Sequence, residues 1–509
     1  MSRRRTIAVL LLLTAAAAIA IQGYHPGLED DAFYLAAIKR NLNPALFPHD
    51  ADFFRLQFQA TIFDKLIAGS IRLTHLSLDL TIFLWQLAAT FLILAACLQI
   101  ARRCFAEPHA QWAAVLTVVA LLTIPVSGTG ISLTDQYLHP RALATAAILA
   151  AIVAILDGRR VRAAILLFVA ATIHIIMAAF GVSLCIFLAW NWKKTVARPS
   201  ANEEKRKQQP ARSSKLMLAA LPLPWLFEPA SAAWRQAAGT RHFYFLSQWA
   251  WYEWLGVIAP LFLLYLFARI ARREQSPTLA HISTRLLYYA IFQLAIALAI
   301  MLPPQLERLR PFEPMRFLQL VYFLMFLIAG GLIGQHVLGK HIYRWLLLFI
   351  PLSAGMFYAQ RQMYPSTSHL ELPGRAPSND WLRAFAWIRQ KTPRQNTPTD
   401  ALFALDPYYM QQPGEDFHGF RALAERSALA DMVKDPGMVA RIPSLAQRWQ
   451  RETTATKNWQ NFEPADFQSL KKTFGVTWVV LAKSNAANQS SAAMICPYQN
   501  QTVKVCRIE

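Results

Sequence analysis

The chain has 509 residues, of which 55% are hydrophobic and 16% charged, with a mean hydropathy of +0.27; a soluble domain carries roughly 25% charge, so an ordinary soluble enzyme is excluded. Lys and Arg total 51 against 30 Asp and Glu, a formal charge of +21, which in so apolar a chain reads as the basic bias of cytoplasmic loops rather than as a nucleic-acid surface. The 5 cysteines are scattered, with no CxxC or His/Cys cluster at zinc spacing, which excludes a disulfide framework and a structural zinc site.

Apolar stretches long enough to cross about 30 Å of hydrocarbon recur up to about residue 358 and then stop. The chain therefore divides into a membrane part, residues 1–358, and a C-terminal domain, residues 359–509. The first stretch, residues 6–21, follows Arg3, Arg4 and Arg5, so the N-terminus stays cytoplasmic and Gly23 emerges outside. Its Ala-rich end resembles a cleavable signal peptide, but the spans that follow need an uncleaved first helix to insert them. Residues 23–77 then form an outer loop, in which residues 53–75, with Arg55, Asp64, Lys65 and Arg72, are too charged to span and are expected along the interface.

A span over residues 78–100 returns to Arg102 and Arg103, and the next, from Trp112, leads out to a polar loop at 128–140. Residues 142–156 come back to Arg159 and Arg160. Residues 163–192 lie between two basic loops, at 159–162 and 193–215, so a single crossing would strand one of them on the wrong side. The pattern predicts two short half-helices forming a hairpin, with His174 near the turn. Residues 198–214 read as a solvated cytoplasmic loop, 216–227 as an outward span, and 257–267 as a return to Arg269, Arg272 and Arg273. Spans near 286–302, 317–334 and 343–358 bring the total to about eleven membrane helices, half-helices included. The fold class expected is thus a polytopic α-helical membrane protein whose C-terminal α/β domain is extracytoplasmic.

In that domain Asp380 opens a helix over 381–391, with Leu382, Phe385, Ala386 and Ile388 at helical spacing, stopped at Pro393. Residues 401–405 and 476–482 read as strands, with a helix over 466–474 broken by Gly475. No Gly-rich phosphate loop is present. Cys496 and Cys506 flank a hairpin over 497–505; an oxidising compartment would join them, the other reading being two unpaired thiols.

Immediately beyond the first span stand Glu29, Asp30 and Asp31. Clustered carboxylates suit proton abstraction from a hydroxyl, or a divalent cation held through oxygen; the other reading is that Asp30 or Asp31 caps the next helix. Cations recur in other outward loops: Arg141 after His139 and Pro140, Arg241 before His242, and Arg308, Arg310 and Arg316. Outer arginines run against the charge bias, and an anionic lipid phosphate would account for them, as would pairing with Glu307 or Glu313. The run 243–254, with Trp249, Trp251 and Trp254, fits an interfacial aromatic belt or a surface for sugar rings or a polyprenyl tail. His174, ionisable at membrane depth, is either a site residue or part of a local hydrogen bond.

Together these residues resemble the GT-C superfamily of integral-membrane glycosyltransferases, such as protein O-mannosyltransferases, aminoarabinose transferases and oligosaccharyltransferase catalytic subunits. The resemblance rests on a first span followed at once by Gly27-Leu28-Glu29-Asp30-Asp31, on Tyr34, on Asn43-Pro44-Ala45-Leu46-Phe47-Pro48 with Asp50, on the short spans around Ile173 and His174, and on a C-terminal domain opening at Trp381. It covers nearly the whole chain, though only the acidic loop is a true motif, and Glu-Asp-Asp departs from the plain acidic pair. No WWD-type motif is present, which argues against an oligosaccharyltransferase.

The resemblance implies transfer of a sugar, with inversion, from a polyprenyl-phosphate carrier to a glycan, lipid or protein acceptor on the periplasmic face of a bacterial-type inner membrane. By analogy Asp30 or Asp31, with Glu29 beside them, would be the base, or Asp30 and Asp31 would hold a divalent cation, Mg or Mn. Arg316 first, then Arg141 and Arg241, would neutralise the departing phosphate, with His139, His174, Tyr34 and Trp251 as further substrate contacts. Two other classes stand beside this one: a lipid or solute transporter or flippase, although no internal repeat is visible, and a non-catalytic membrane assembly protein.

Overall fold

The structure, a computed structural model, describes residues 3–190, 229–392, 401–483 and 494–509. The expected loop at 198–214 and span at 216–227 lie outside the described residues. Six described helices are long and apolar enough to cross a membrane: Arg4–Gln22, Leu78–Cys104, Trp251–Arg273, Pro277–Met301, Pro314–Leu338 and Ile342–Met363. Shorter apolar helices, Pro140–Leu156 and Ile175–Ala189 among them, pack with these. Hydrocarbon offers main-chain N–H and C=O groups no partner, so apolar sequence there closes its own bonds as helix. The chain is thus a polytopic helical protein with a C-terminal sheet region.

The hairpin expected at His174 is present: Arg160–Ile173 and Ile175–Ala189 are separated by that one residue, extended at φ −153° and ψ 94°. His174 stops one helix and starts the next, its Nδ1 accepting the Met177 amide at 3.3 Å. Elsewhere the bundle closes through small residues, since association within lipid depends on close packing. A Cβ on Gly330 would lie 2.3 Å from Thr117 Oγ1, and one on Gly334 2.5 Å from Ala113 Cβ. At one end of the bundle, Arg103 pairs with Asp157 (Nε–Oδ1 2.7 Å, Nη2–Oδ2 2.8 Å) and Ser276 bonds the Cys104 carbonyl.

The opposite end carries the acidic loop and the sheet region. The amphipathic stretch after the loop folds as two helices, Arg55–Ala60 and Phe63–Thr74. A short antiparallel pair, β1 (Pro125–Val126) and β2 (Ile131–Ser132), turns the loop before Pro140–Leu156. The C-terminal sheet contains β3 (Leu402–Leu405), β4 (Ser427–Ala428), β5 (Val476–Ala482), β6 (Ile495–Gln499) and β7 (Val503–Arg507), in the order β4-β3-β5-β7-β6. β3 is parallel to β4 and β5, while β7 is antiparallel to β5 and β6. The β6–β7 hairpin is closed by a Cys496–Cys506 disulfide. The helix Asp380–Lys391 buries Leu382, Phe385 and Ile388 under the sheet, as their spacing predicts, together with Trp381, while Ala386 is only half-buried.

The sheet region sits directly on the bundle. Trp234 donates its indole N–H to the Ala440 carbonyl at 3.0 Å, and Met438, Val439 and Trp449 join the main apolar core. The last long helix runs to Met363, beyond the change of composition at 358.

Candidate functional site

Residues 23–31 are stitched to the C-terminal region by main-chain bonds. Tyr24 donates to the His369 carbonyl (3.0 Å), Glu29 to Phe417 (2.9 Å), and Gly419 to Gly27 (2.9 Å), with Leu28 bridging His418. On the other side His25 donates to the Gln136 carbonyl at 2.8 Å. The turn needs left-handed backbone at Gly27 (φ 83°) and also at Glu29 (φ 54°), which costs a side-chain-bearing residue about 1 kcal/mol or more. A charge contact holds Glu29 there: its carboxylate bonds Lys434 Nζ.

Consecutive acids on this turn face different ways. Asp31 is 4% exposed, and its Oδ2 accepts the Gly27 amide at 2.6 Å, so it braces the loop instead of lining a cavity. Burial raises its carboxyl to about 7. Asp30, at the start of helix Asp31–Leu42, makes no side-chain capping bond and lies open, Oδ1 standing 3.3 Å from Lys434 Nζ. Its removal from bulk water at the cavity would raise its pKa, but Lys434 foremost, with Arg316 and Arg141, outweighs that and holds it well below the usual carboxylate range.

Two cavities meet at Asp30. One, of about 490 Å³, is polar: five carboxylates (Glu29, Asp30, Asp135, Glu253, Glu313) and five cations (Arg141, Arg241, Arg316, Lys434, Arg441) line it. The other, of about 340 Å³, is walled largely by Leu56, Ile173, Ile176, Trp234, Phe312 and Met438. Asp30, Tyr34, Arg316 and Arg441 line both.

The guanidiniums are fixed by carboxylates and keep unused donors. Arg141 is 2% exposed and binds Asp135 through Nη2 at 2.5 and 2.7 Å, while its Nε and Nη1 have no hydrogen-bond partner among the described residues. Glu313 serves two cations, Arg316 at 2.6 Å and Arg441 at 3.0 Å, and Arg316 Nε has no partner among the described residues. Buried N–H groups without partners are costly, so this arrangement is suited to an anion.

His139 and His174 both line the apolar cavity, with ring centroids 6.2 Å apart. His139 Nδ1 accepts the Arg141 amide at 2.9 Å, as His174 Nδ1 accepts that of Met177. An accepting Nδ1 carries no proton, so each neutral ring offers Nε2–H as its donor. Burial and Arg141 depress the His139 pKa well below its ordinary value. The Tyr34 ring meets that of His139 at 4.7 Å.

Of the residues expected from sequence, Glu29, Asp30, Tyr34, His139, Arg141, His174, Arg241 and Arg316 line one or both cavities. Asp31 does not, for the reason given. Nor does Trp251, which is 77% exposed at the start of its helix; from the same aromatic run, Phe243 and Tyr244 line the polar cavity. The pairing of Asp30 and Asp31 as cation ligands does not fit the geometry, because the two carboxylates diverge and an ammonium already bonds Asp30 and Glu29. Among the described residues no group of three His, Cys, Asp or Glu side chains is arranged for a metal ion. Lys434 and Arg441, contributed by the C-terminal region, were not evident from sequence.

A comparison of the full sequence with protein-family profiles and with curated proteins finds no match.

Proposed function

We propose that this chain is a GT-C-type membrane glycosyltransferase that moves a sugar from a polyprenyl-phosphate carrier to an acceptor hydroxyl, with inversion. One observation carries the reading: Asp30 stands where an apolar cavity meets a charge-lined one, beside arginines whose N–H groups have no partner among the described residues. The isoprenoid would occupy the apolar cavity, and the phosphate would take the free donors of Arg141 and Arg316, with Arg441 adjoining. The acceptor oxygen attacks the anomeric carbon, its proton passes to the Asp30 carboxylate, and the carbon–oxygen bond to phosphate breaks, its electron pair leaving with the polyprenyl phosphate. Held ionised, Asp30 is ready to orient that hydroxyl.

Orientation follows from charge: Arg3, Arg4 and Arg5 keep the N-terminus in the cytoplasm, and the disulfide suits a C-terminal region in an oxidising periplasm. The test is transfer by the purified protein in liposomes from a panel of polyprenyl-phosphate sugars. Asp30→Asn should reduce turnover about 10²- to 10⁴-fold while helicity is retained, and equal turnover by a folded Asp30→Asn protein would overturn the reading.

A further inference from the structure

We propose that Lys434 is a tethered cation that stands in for a divalent metal ion at the acidic loop, making the C-terminal region part of the reacting centre. The inference deepens the proposed function, which rests on the Asp30 carboxylate, but its test involves no sugar transfer. Three observations carry it.

The first is contact. The Lys434 ammonium bonds the Glu29 carboxylate and lies 3.3 Å from Asp30 Oδ1, so one positive group bridges two neighbouring acids of the loop, both of which line the polar cavity. The second is how firmly it is presented. Asp431 Oδ1 accepts the Val433 and Lys434 amides, and Arg241 Nη2 donates to the Lys434 carbonyl at 2.8 Å. The side chain is 7% exposed. Fixing the backbone on both sides lowers the entropy cost of holding a long side chain in one place. The third is the company it keeps. A metal ion entering between Glu29 and Asp30 would meet Lys434 directly, with Arg141, Arg241, Arg316 and Arg441 around the same cavity. Like-charge repulsion there disfavours a dication.

Lys434 stays protonated in this setting: burial lowers its pKa, but Glu29 and Asp30 outweigh that and raise it. It is a positioning residue, acting through Asp30 by keeping that carboxylate ionised and turned into the cavity.

Mn²⁺ is the probe, with bound ion measured by electron paramagnetic resonance on the full-length protein in nanodiscs. Wild type and Asp30→Asn should give the same titration. Lys434→Ala should gain a site at least ten-fold tighter than any in wild type, lost again in the Lys434→Ala/Asp30→Asn double variant. Lys434→Arg should remain like wild type. Mn²⁺ binding by wild type that Asp30→Asn abolishes would overturn the proposal, as would a folded Lys434→Ala protein that gains no site. Should Lys434→Ala fail to fold, wild type against Asp30→Asn decides alone: an Asp30-dependent site refutes the proposal and identical titrations support it. A protein that transfers no sugar would leave each of these outcomes readable.

Discussion

The Asp31 carboxylate accepts the Gly27 amide at 2.6 Å and so turns back into its own loop, while Asp30, one residue earlier, opens onto both cavities. Burial places the Asp31 pKa at about 7 in the fold, against about 3.9 in an unfolded chain. Below pH 4 both states are protonated; between pH 4 and 7 only the unfolded chain loses its proton, so this group's stabilising contribution falls as pH rises through that window. Asp31→Asn keeps an acceptor for Gly27 without the charge. Its melting temperature should equal or exceed that of wild type at pH 8, with the difference shrinking towards pH 4. A variant equally destabilised at both pH values would contradict this.

His418 gives the opposite sign. It is fully buried, with Nδ1 3.1 Å from Glu415 and Nε2 3.3 Å from Glu371, and Glu371 also binds His25 Nδ1 at 2.8 Å. Burial alone would lower the imidazole pKa, but the two carboxylates raise it to about 10. The ion pairs thus add stability below pH 6.5, and that stability is lost as pH rises through 10. Removing one partner of a buried pair costs about 3–5 kcal/mol. His418→Gln should be destabilised on that scale at pH 6 and much less at pH 10, as thermal melts at the two values would read. Because Leu28 bridges His418, the variant should also loosen residues 23–31 in hydrogen exchange.

Much of this frame was legible in the sequence because the features concerned are local. The hairpin at His174 follows from basic loops on both of its sides, and the strands at 402–405 and 476–482 from their β-branched and apolar composition. β4 was not legible: a two-residue strand has no periodicity, and its pairing with β3 is non-local. In the site, outer arginines were conspicuous against the charge bias, whereas Lys434 and Arg441 lie in a polar tail where a basic residue signals nothing. The divergence of Asp30 and Asp31 depends on φ at Gly27 and Glu29, which sequence spacing does not encode.

The disulfide closes a loop with a sequence separation of 10. Chain-entropy arguments assign such a closure about 2–3 kcal/mol. Reduction with dithiothreitol, or Cys496→Ser, should destabilise the sheet region by that amount and so lower its melting temperature, and the double Cys→Ser variant should lose all response to reductant. An unchanged melt after verified reduction would refute it.

Arg141 tests the anion site. Its Nη2 is spent on Asp135, and its Nε and Nη1 have no partner among the described residues. Arg141→Lys keeps the charge and removes the planar fork, leaving a single point charge for Asp135. Donor transfer should fall by about 10²-fold, while the effect on folding is smaller than that of Arg141→Ala, which leaves Asp135 buried without its partner. If the lysine variant transferred at the wild-type rate, the unpartnered nitrogens would have no part in phosphate binding.

The apolar cavity makes the last prediction, because it separates a lipid-linked donor from a soluble one. Ile173 and Ile176 flank His174 in its wall, and Trp234 and Met438 come from other parts of the chain. The cavity holds about 340 Å³, room for only the first few isoprene units, so the rest of a long carrier would lie in the bilayer. Filling the wall with Ile176→Trp excludes those first units without touching the charged residues around Asp30. Apolar contacts contribute roughly 0.8 kcal/mol per buried CH₂ group, so losing even two should raise KM for a polyprenyl-phosphate donor about ten-fold or more. A water-soluble phosphate analogue with a very short tail makes few of those contacts and should show little change. Equal effects on long and short donors would mean that the substitution disturbs the charged centre and that the carrier does not enter here.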